Sequence, residues 1–212
     1  MNEPEAPVSP ARPERKATLR IGQHGLNVIL VIVIMCIAVP LLFLGYRVAL
    51  NFKAKRDITI AESNLHGLFQ ALYQYSLDWD GKLPPADAWT DDAAGFLPSA
   101  SGIAGGKESY LKGPGDGETI RYEYNDLAAG FDMLEDRNRK VEPGDLVLLI
   151  EHPGADKNSH IPIPRQGNAQ AESALYKLLA FPHYADDPDN ATTVILFANG
   201  RVSVRTRKDF RQ

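Results

Sequence analysis

Cysteine is nearly absent from this chain. Cys36 stands alone, which excludes an intramolecular disulfide and any cysteine-based zinc site. Histidine is sparse too. His24, His66, His152, His160 and His183 lie far apart, and none forms the H-x-x-x-H helical pair that gathers zinc. The chain has no G-x-S-x-G nucleophile elbow, no phosphate-binding loop and no dinucleotide fingerprint. Gly102-Ile103-Ala104-Gly105-Gly106-Lys107 looks superficially like a phosphate loop. It lacks the spacing, the Ser/Thr after the lysine and a preceding strand. Excess positive charge is also missing. The net charge is -4, which argues against a nucleic-acid partner, and the basic run Arg201 to Arg211 lacks interleaved aromatics.

The most telling absence is local. From Gly25 to Tyr46 no residue is charged, and Leu26 to Leu44 is almost wholly aliphatic. At ~1.5 Å per residue, a helix over this run reaches roughly the thickness of a bilayer's hydrocarbon core. Asn27 and Tyr46 suit the two interfaces. Pro40 removes one helical hydrogen bond, which membrane helices tolerate. A cleaved signal peptide fits poorly, since Arg47 would occupy the -3 position before a cut after Ala49. Arg12, Arg15, Lys16 and Arg20 precede the span, and Arg47, Lys53, Lys55 and Arg56 follow it. The positive-inside rule therefore ties.

Before the span, Pro4, Pro7, Pro10 and Pro13 recur every third residue in a segment that reads as a solvated tail, aligned for polyproline II. After it, Ile58, Ala61, Leu65, Leu68, Leu72, Tyr75 and Trp79 fall at spacings of three and four, the stripe of an amphipathic helix. The charged stretch Lys53 to Asp57 stands next to the membrane surface. One long helix from about Leu26 to about Trp79 is expected, stopped by Gly81, Pro84 and Pro85. Beyond it we expect a short helix around Trp89 and Phe96, a loop over 99–118 and strands at 119–124 and 146–151. A proline-bearing loop over 152–169 and a short helix at 171–181 follow. Thr192 to Ala198, Asn199-Gly200 and Arg201 to Thr206 read as a hairpin whose two turn residues both accept positive φ. The fold class is α+β: a long N-terminal helix, transmembrane and then amphipathic, packed on a small antiparallel sheet.

This order, and several short segments within it, resemble type IV pilins and type II secretion pseudopilins. Asn64-Leu65-His66-Gly67-Leu68, Ala71-Leu72, Tyr75, Asp78, Gly81 and Leu83-Pro84 are similar to the helical signature of bacterial prepilin-type proteins. Tyr122-Glu123-Tyr124-Asn125 resembles their Y-x-Y-N strand end. Leu146 to Glu151 resembles a hydrophobic strand ending in an acid, and Val194 to Val202 resembles their C-terminal D-G-H-V hairpin. The span departs from the family. Counting from Leu26, after Gly25, the fifth position is Leu30 rather than glutamate, and the span holds no glutamate. The usual prepilin cleavage motif is lacking, so the N-terminus is expected to stay uncut.

The resemblance implies a pilin-like fold divided into four parts: a cytoplasmic tail over 1–24, a transmembrane helix over 25–46, its amphipathic continuation over 47–80, and an extracytoplasmic α+β domain over 81–212. It implies a single-pass inner-membrane protein that serves as a structural or assembly component of a secretion or pilus-like system. Its partners would be membrane lipid and other envelope proteins. A membrane-tethered ligand-binding module, working through loops 99–118 and 152–169, is the alternative; an extracytoplasmic enzyme comes last. No catalytic, cofactor or metal residue is assigned. Asp186, Asp187, Asp189 and Asn190 offer hard oxygens of the kind calcium binds, and some pseudopilins hold calcium in a loop by the sheet. The stretch does not match an EF-hand and reads first as an acidic turn. Asn190-Ala191-Thr192 matches a glycosylation sequon, a pattern short enough to arise by chance.

Overall fold

The computed structural model describes residues 23–98, 107, 109–113, 120–134 and 143–210. The proline-rich tail, most of the loop over 99–118 and Thr119 lie outside them. The chain divides into two compact units, Met1–Arg47 and Val48–Gln212.

A single helix, α1 (Gln23–Asp78), runs through both units and keeps Pro40 in its interior. It is long and apolar enough to cross a membrane. In the first unit the large apolar side chains are uncovered: Val28, Ile32, Leu42 and Phe43 are all exposed. Such a surface is stable only in an apolar medium or under a partner.

In the second unit α1 behaves as a soluble amphipathic helix. Ala61, Leu65, Leu68, Ala71 and Leu72 are fully buried and Tyr75 nearly so. Trp79 departs from the expected stripe. It lies past the last helical residue, is 58% exposed, and stacks on Tyr75 at 5.4 Å between ring centroids. The helix stops because Asp80 and then Gly81 turn left-handed, with φ of 52° and 84°. The Gly81 N–H then returns to the Ser76 carbonyl at 2.7 Å, the closure typical of a helix C-terminus. A short helix, α2 (Trp89–Ala94), follows, and α3 (Ser109–Lys112) is a single turn.

The sheet contains β1 (Ile120–Asn125), β2 (Val147–Ala155), β3 (His160–Ile161), β4 (Thr192–Phe197) and β5 (Val202–Thr206), with α4 (Ala169–Leu178) between β3 and β4. Its spatial order is β3-β1-β2-β4-β5. The expected antiparallel sheet is corrected here to a mixed one, because β3 runs parallel to β1. The other three pairings are antiparallel. The 152–169 loop is corrected as well: β2 extends through its start to Ala155, and β3 lies within it.

Both faces of the sheet are covered. Leu65, Leu68, Leu72, Trp89, Tyr122, Tyr124, Leu148 and Leu196 form one core under α1. Val147, Ile150, Ile163, Leu175, Phe181, Ile195 and Phe197 form a second core on the α4 side. Every residue of β4 is buried as a result, which explains its continuous apolar run.

The β4–β5 connection also differs from expectation. Gly200 has φ of 80°, but Asn199 does not turn positive. The Gly200 N–H reaches the Phe197 carbonyl and the Phe197 N–H reaches the Arg201 carbonyl, each at 2.9 Å. The loop is therefore Ala198-Asn199-Gly200, a turn followed by one left-handed glycine. A Cβ on Gly200 would lie 2.8 Å from the Phe69 ring, so this glycine also lets the hairpin tip approach α1.

Candidate functional site

The segments that carry the family resemblance turn out to be joints of the fold. Asn64 is buried on α1 and donates through Nδ2 to the Ser109 carbonyl at 3.3 Å. One turn on, a Cβ at Gly67 would lie 2.4 Å from the Tyr110 ring. These two positions seat α3 against α1. Ser109 to Lys112, which has Ser-x-x-Lys spacing, is that helical turn, with Tyr110 and Leu111 in the core. Asn125 is fully buried at the end of β1. Its Oδ1 accepts from Leu127 N–H at 3.0 Å and Ile163 N–H at 2.9 Å, and its Nδ2 donates to the Val147 carbonyl at 2.8 Å. Three of its four side-chain hydrogen-bonding positions thus tie three chain segments together.

The histidines of the domain are not gathered. His152 Nδ1 lies 3.4 Å from Glu123, His160 Nδ1 lies 2.5 Å from Asp126, and His183 Nε2 lies 2.9 Å from Glu151. His66 is exposed on α1. Among the described residues, no group of three or more His, Cys, Asp or Glu side chains is placed to hold a metal ion. Asp186, Asp187 and Asp189 do not converge on a common centre either. Asp187 instead closes its own turn: Oδ1 accepts from Asp189 N–H at 3.2 Å and Asn190 N–H at 3.3 Å, and Oδ2 accepts from Asn190 Nδ2 at 2.8 Å.

Among the described residues, His183 and Glu151 form the most buried ionisable pair, and sequence reasoning missed it. Beyond Ile150, β2 parts from β4, and the segment at His183 takes its place, bridging Thr192. Glu151 is wholly buried, His183 is 3% exposed, and Arg121 Nη2 stands 3.7 Å from the other carboxylate oxygen. The cross-strand neighbour of Glu151 is Tyr122. Burial, then the negative charge of Glu151, holds the Tyr122 phenol far above its ordinary range. Tyr124 is raised as well, chiefly by burial. Neither phenol ionises at physiological pH, so both serve as neutral core residues.

Residues 157–159, expected to lie in an exposed recognition loop, are committed to α2. Asn158 Oδ1 accepts from the Thr90 N–H at 2.8 Å and also from the Thr90 hydroxyl. It thereby caps a helix whose own N-cap, Ala88, has no capping side chain. Trp89 Nε1 donates to the Ser159 carbonyl at 3.1 Å, and Lys157 pairs with Asp91 at 2.5 Å. Lys107 donates to the Gly95 carbonyl at 3.2 Å.

Two surface grooves lie among the described residues of the second unit. One, of about 670 Å³, is lined by Leu127, Pro162, Pro164, Ala174, Lys177 and Leu178 among others. The other, of about 640 Å³, lies between Val48, Asn51, Phe52 and Lys55 of α1 and Tyr184, Asp187, Asn190, Thr192 and Thr206.

No family model, curated protein or solved structure matches this chain. The class that its architecture defines is an α+β protein with one helix able to span a membrane.

Proposed function

We propose that the protein is a single-pass, pilin-like component of the cell envelope that acts by assembly with other proteins rather than by catalysis. One observation carries this reading. The same helix, α1, is uncovered and aliphatic over its first part, whereas further along its stripe from Ala61 to Tyr75 is sealed into a folded domain. That division suits an element that anchors in lipid at one end and carries a domain at the other. The resemblance of Asn64 to Pro84, Tyr122 to Asn125 and Val194 to Val202 to prepilin-type proteins supports it further. The same resemblance, since the flanking charges tie, favours a cytoplasmic N-terminus and a domain outside the inner membrane.

Fusions at the C-terminus test the topology on which this role depends. An alkaline phosphatase fusion should be active, a fluorescent protein fusion dark, and protease applied to spheroplasts should digest the domain while sparing the span. Cross-linking in membranes should then join the domain to envelope assembly proteins. A bright fluorescent fusion with a protected domain would remove the envelope role and leave a membrane-tethered cytosolic module.

A further inference from the structure

The groove between α1 and the 184–192 segment has a feature that the fold does not require. Val48, Asn51, Phe52 and Lys55 stand at helical spacings of three, one and three. They extend toward the N-terminus the same stripe that holds Ile58, Ala61 and Leu65. Over the sheet that stripe is sealed. Here it opens, and Phe52 is 70% exposed although it lies on the face turned toward the domain. The opposite wall is polar: the Tyr184, Thr192 and Thr206 hydroxyls, the Asn190 amide and the Asp187 carboxylate. The Tyr184 hydroxyl donates to the Asn51 carbonyl at 3.4 Å, which ties the two walls together.

The lining has an order. Val48 comes two residues after Tyr46, where the apolar run ends; Asn51 and Phe52 follow one turn later, and Lys55 one turn after that. Away from the span, the helical wall changes from aliphatic to aromatic-amide to cationic. A phospholipid changes in the same order, from acyl chain through glycerol ester to phosphate. Short chain distance alone keeps Val48 to Lys55 close to the end of the apolar run, and basic and aromatic residues at this level are those that meet headgroups. Asp187, in the same lining as Lys55, supplies a negative charge, and Asp186 and Asp189 lie in the same exposed segment. A purely anionic headgroup would face repulsion there. A primary ammonium would instead find an acceptor, while its phosphate meets Lys55.

We propose that this groove binds one amine-bearing zwitterionic phospholipid of the membrane in which α1 is anchored, with a headgroup of the phosphatidylethanolamine type. The phosphate faces Lys55 and the neighbouring amides, the ammonium faces Asp187, and the upper acyl region lies on Val48 and Phe52. A quaternary choline headgroup has no N–H to donate, and glycerol headgroups have no cation, so the groove selects against both.

This inference rests on the membrane reading, and the test separates the two. The full chain is reconstituted into nanodiscs of equal phosphatidylethanolamine, phosphatidylcholine and phosphatidylglycerol, released into detergent and weighed by native mass spectrometry. The chain should retain phosphatidylethanolamine stoichiometrically and in several-fold preference to the other two. Lys55→Glu, at an exposed position outside the core, should lower retention roughly tenfold, the loss of about one charge-assisted hydrogen bond. Lys53→Glu, outside the lining, should leave retention unchanged. Carbonate washing of native membranes reports the anchor independently. A chain that stays in the membrane pellet yet retains no lipid, retains phosphatidylglycerol equally, or is indifferent to Lys55→Glu overturns the groove proposal alone. A chain washed into the supernatant overturns the membrane reading and this proposal with it. A photoreactive side chain at Phe52 that couples to a protein instead of a lipid overturns the assigned occupant.

Discussion

His183 Nε2 and Glu151 Oε2 meet at 2.9 Å where neither side chain has appreciable access to water. The pair joins β2 to the segment that replaces it beside β4. A buried polar group left without its hydrogen-bond partner costs more than the bond itself contributes. We therefore expect His183→Ala and Glu151→Ala each to destabilise the domain by roughly 1–3 kcal/mol. The double replacement Glu151→Ala/His183→Ala should cost less than the two single changes combined. Denaturant melts of the four proteins in detergent read this directly; additive losses would show that the two side chains act independently.

Leu72 reports the packing of α1 on the sheet. Its side chain is fully buried beside Leu68 and the sheet's tyrosines. Leu72→Ala should cost on the order of 2–5 kcal/mol, the range for removing a buried leucine that leaves a cavity. Leu77→Ala, on the exposed side of the same helix, serves as the comparison and should change stability by less than about 0.5 kcal/mol. Equal losses at both positions would mean that helix propensity, not packing, governs the response.

Gly200 faces two separate constraints, its φ of 80° and the Phe69 ring. Gly200→Ala should destabilise by roughly 1–3 kcal/mol, with strain from both sources. In a Phe69→Ala background the steric part disappears and only the backbone part remains, so the same substitution should cost less there. An unchanged cost in that background would place the whole effect in the backbone.

Asp209 provides a pH-dependent term. Its carboxylate is held below the usual range, first by the Thr206 N–H, which donates to Oδ2 at 2.7 Å, and further by Arg205 and Lys208, with burial opposing. A carboxylate whose folded pKa is depressed adds stability above its unfolded pKa of about 3.9, and that stability is lost as pH falls through the folded value. Asp209→Asn should therefore lower the melting temperature at pH 7, and the gap to the parent protein should narrow below pH ~3.5. A gap that stays constant with pH would mean that the loss comes from the turn geometry and not from the charge.

The amino-acid order by itself determined those features that depend on local periodicity. A run without charge from Gly25 to Tyr46 specifies a helix long and apolar enough to cross a membrane. The three-and-four spacing from Ile58 to Tyr75 specifies one helical face whatever it packs on. Gly81 with two prolines behind it stops a helix in almost any context, and the hairpin over 192–206 was readable from its turn residues.

Tertiary structure alone decided which distant segments meet. The parallel partner of β1 is a two-residue strand too short to leave a pattern. The weak stripe of α4 does not announce that it seals the second sheet face, which makes β4 buried on both sides. Glu151 finds His183 across 32 residues, and Asn158 caps a helix that begins 69 residues earlier at Trp89. Asn199 stays out of the left-handed region because the register of β4 with β5 leaves three residues for the loop, not two. In each case the deciding term is burial of a polar group or closure of a strand pair between parts of the chain with no local signal of each other, and that free energy exists only once the partner is in place.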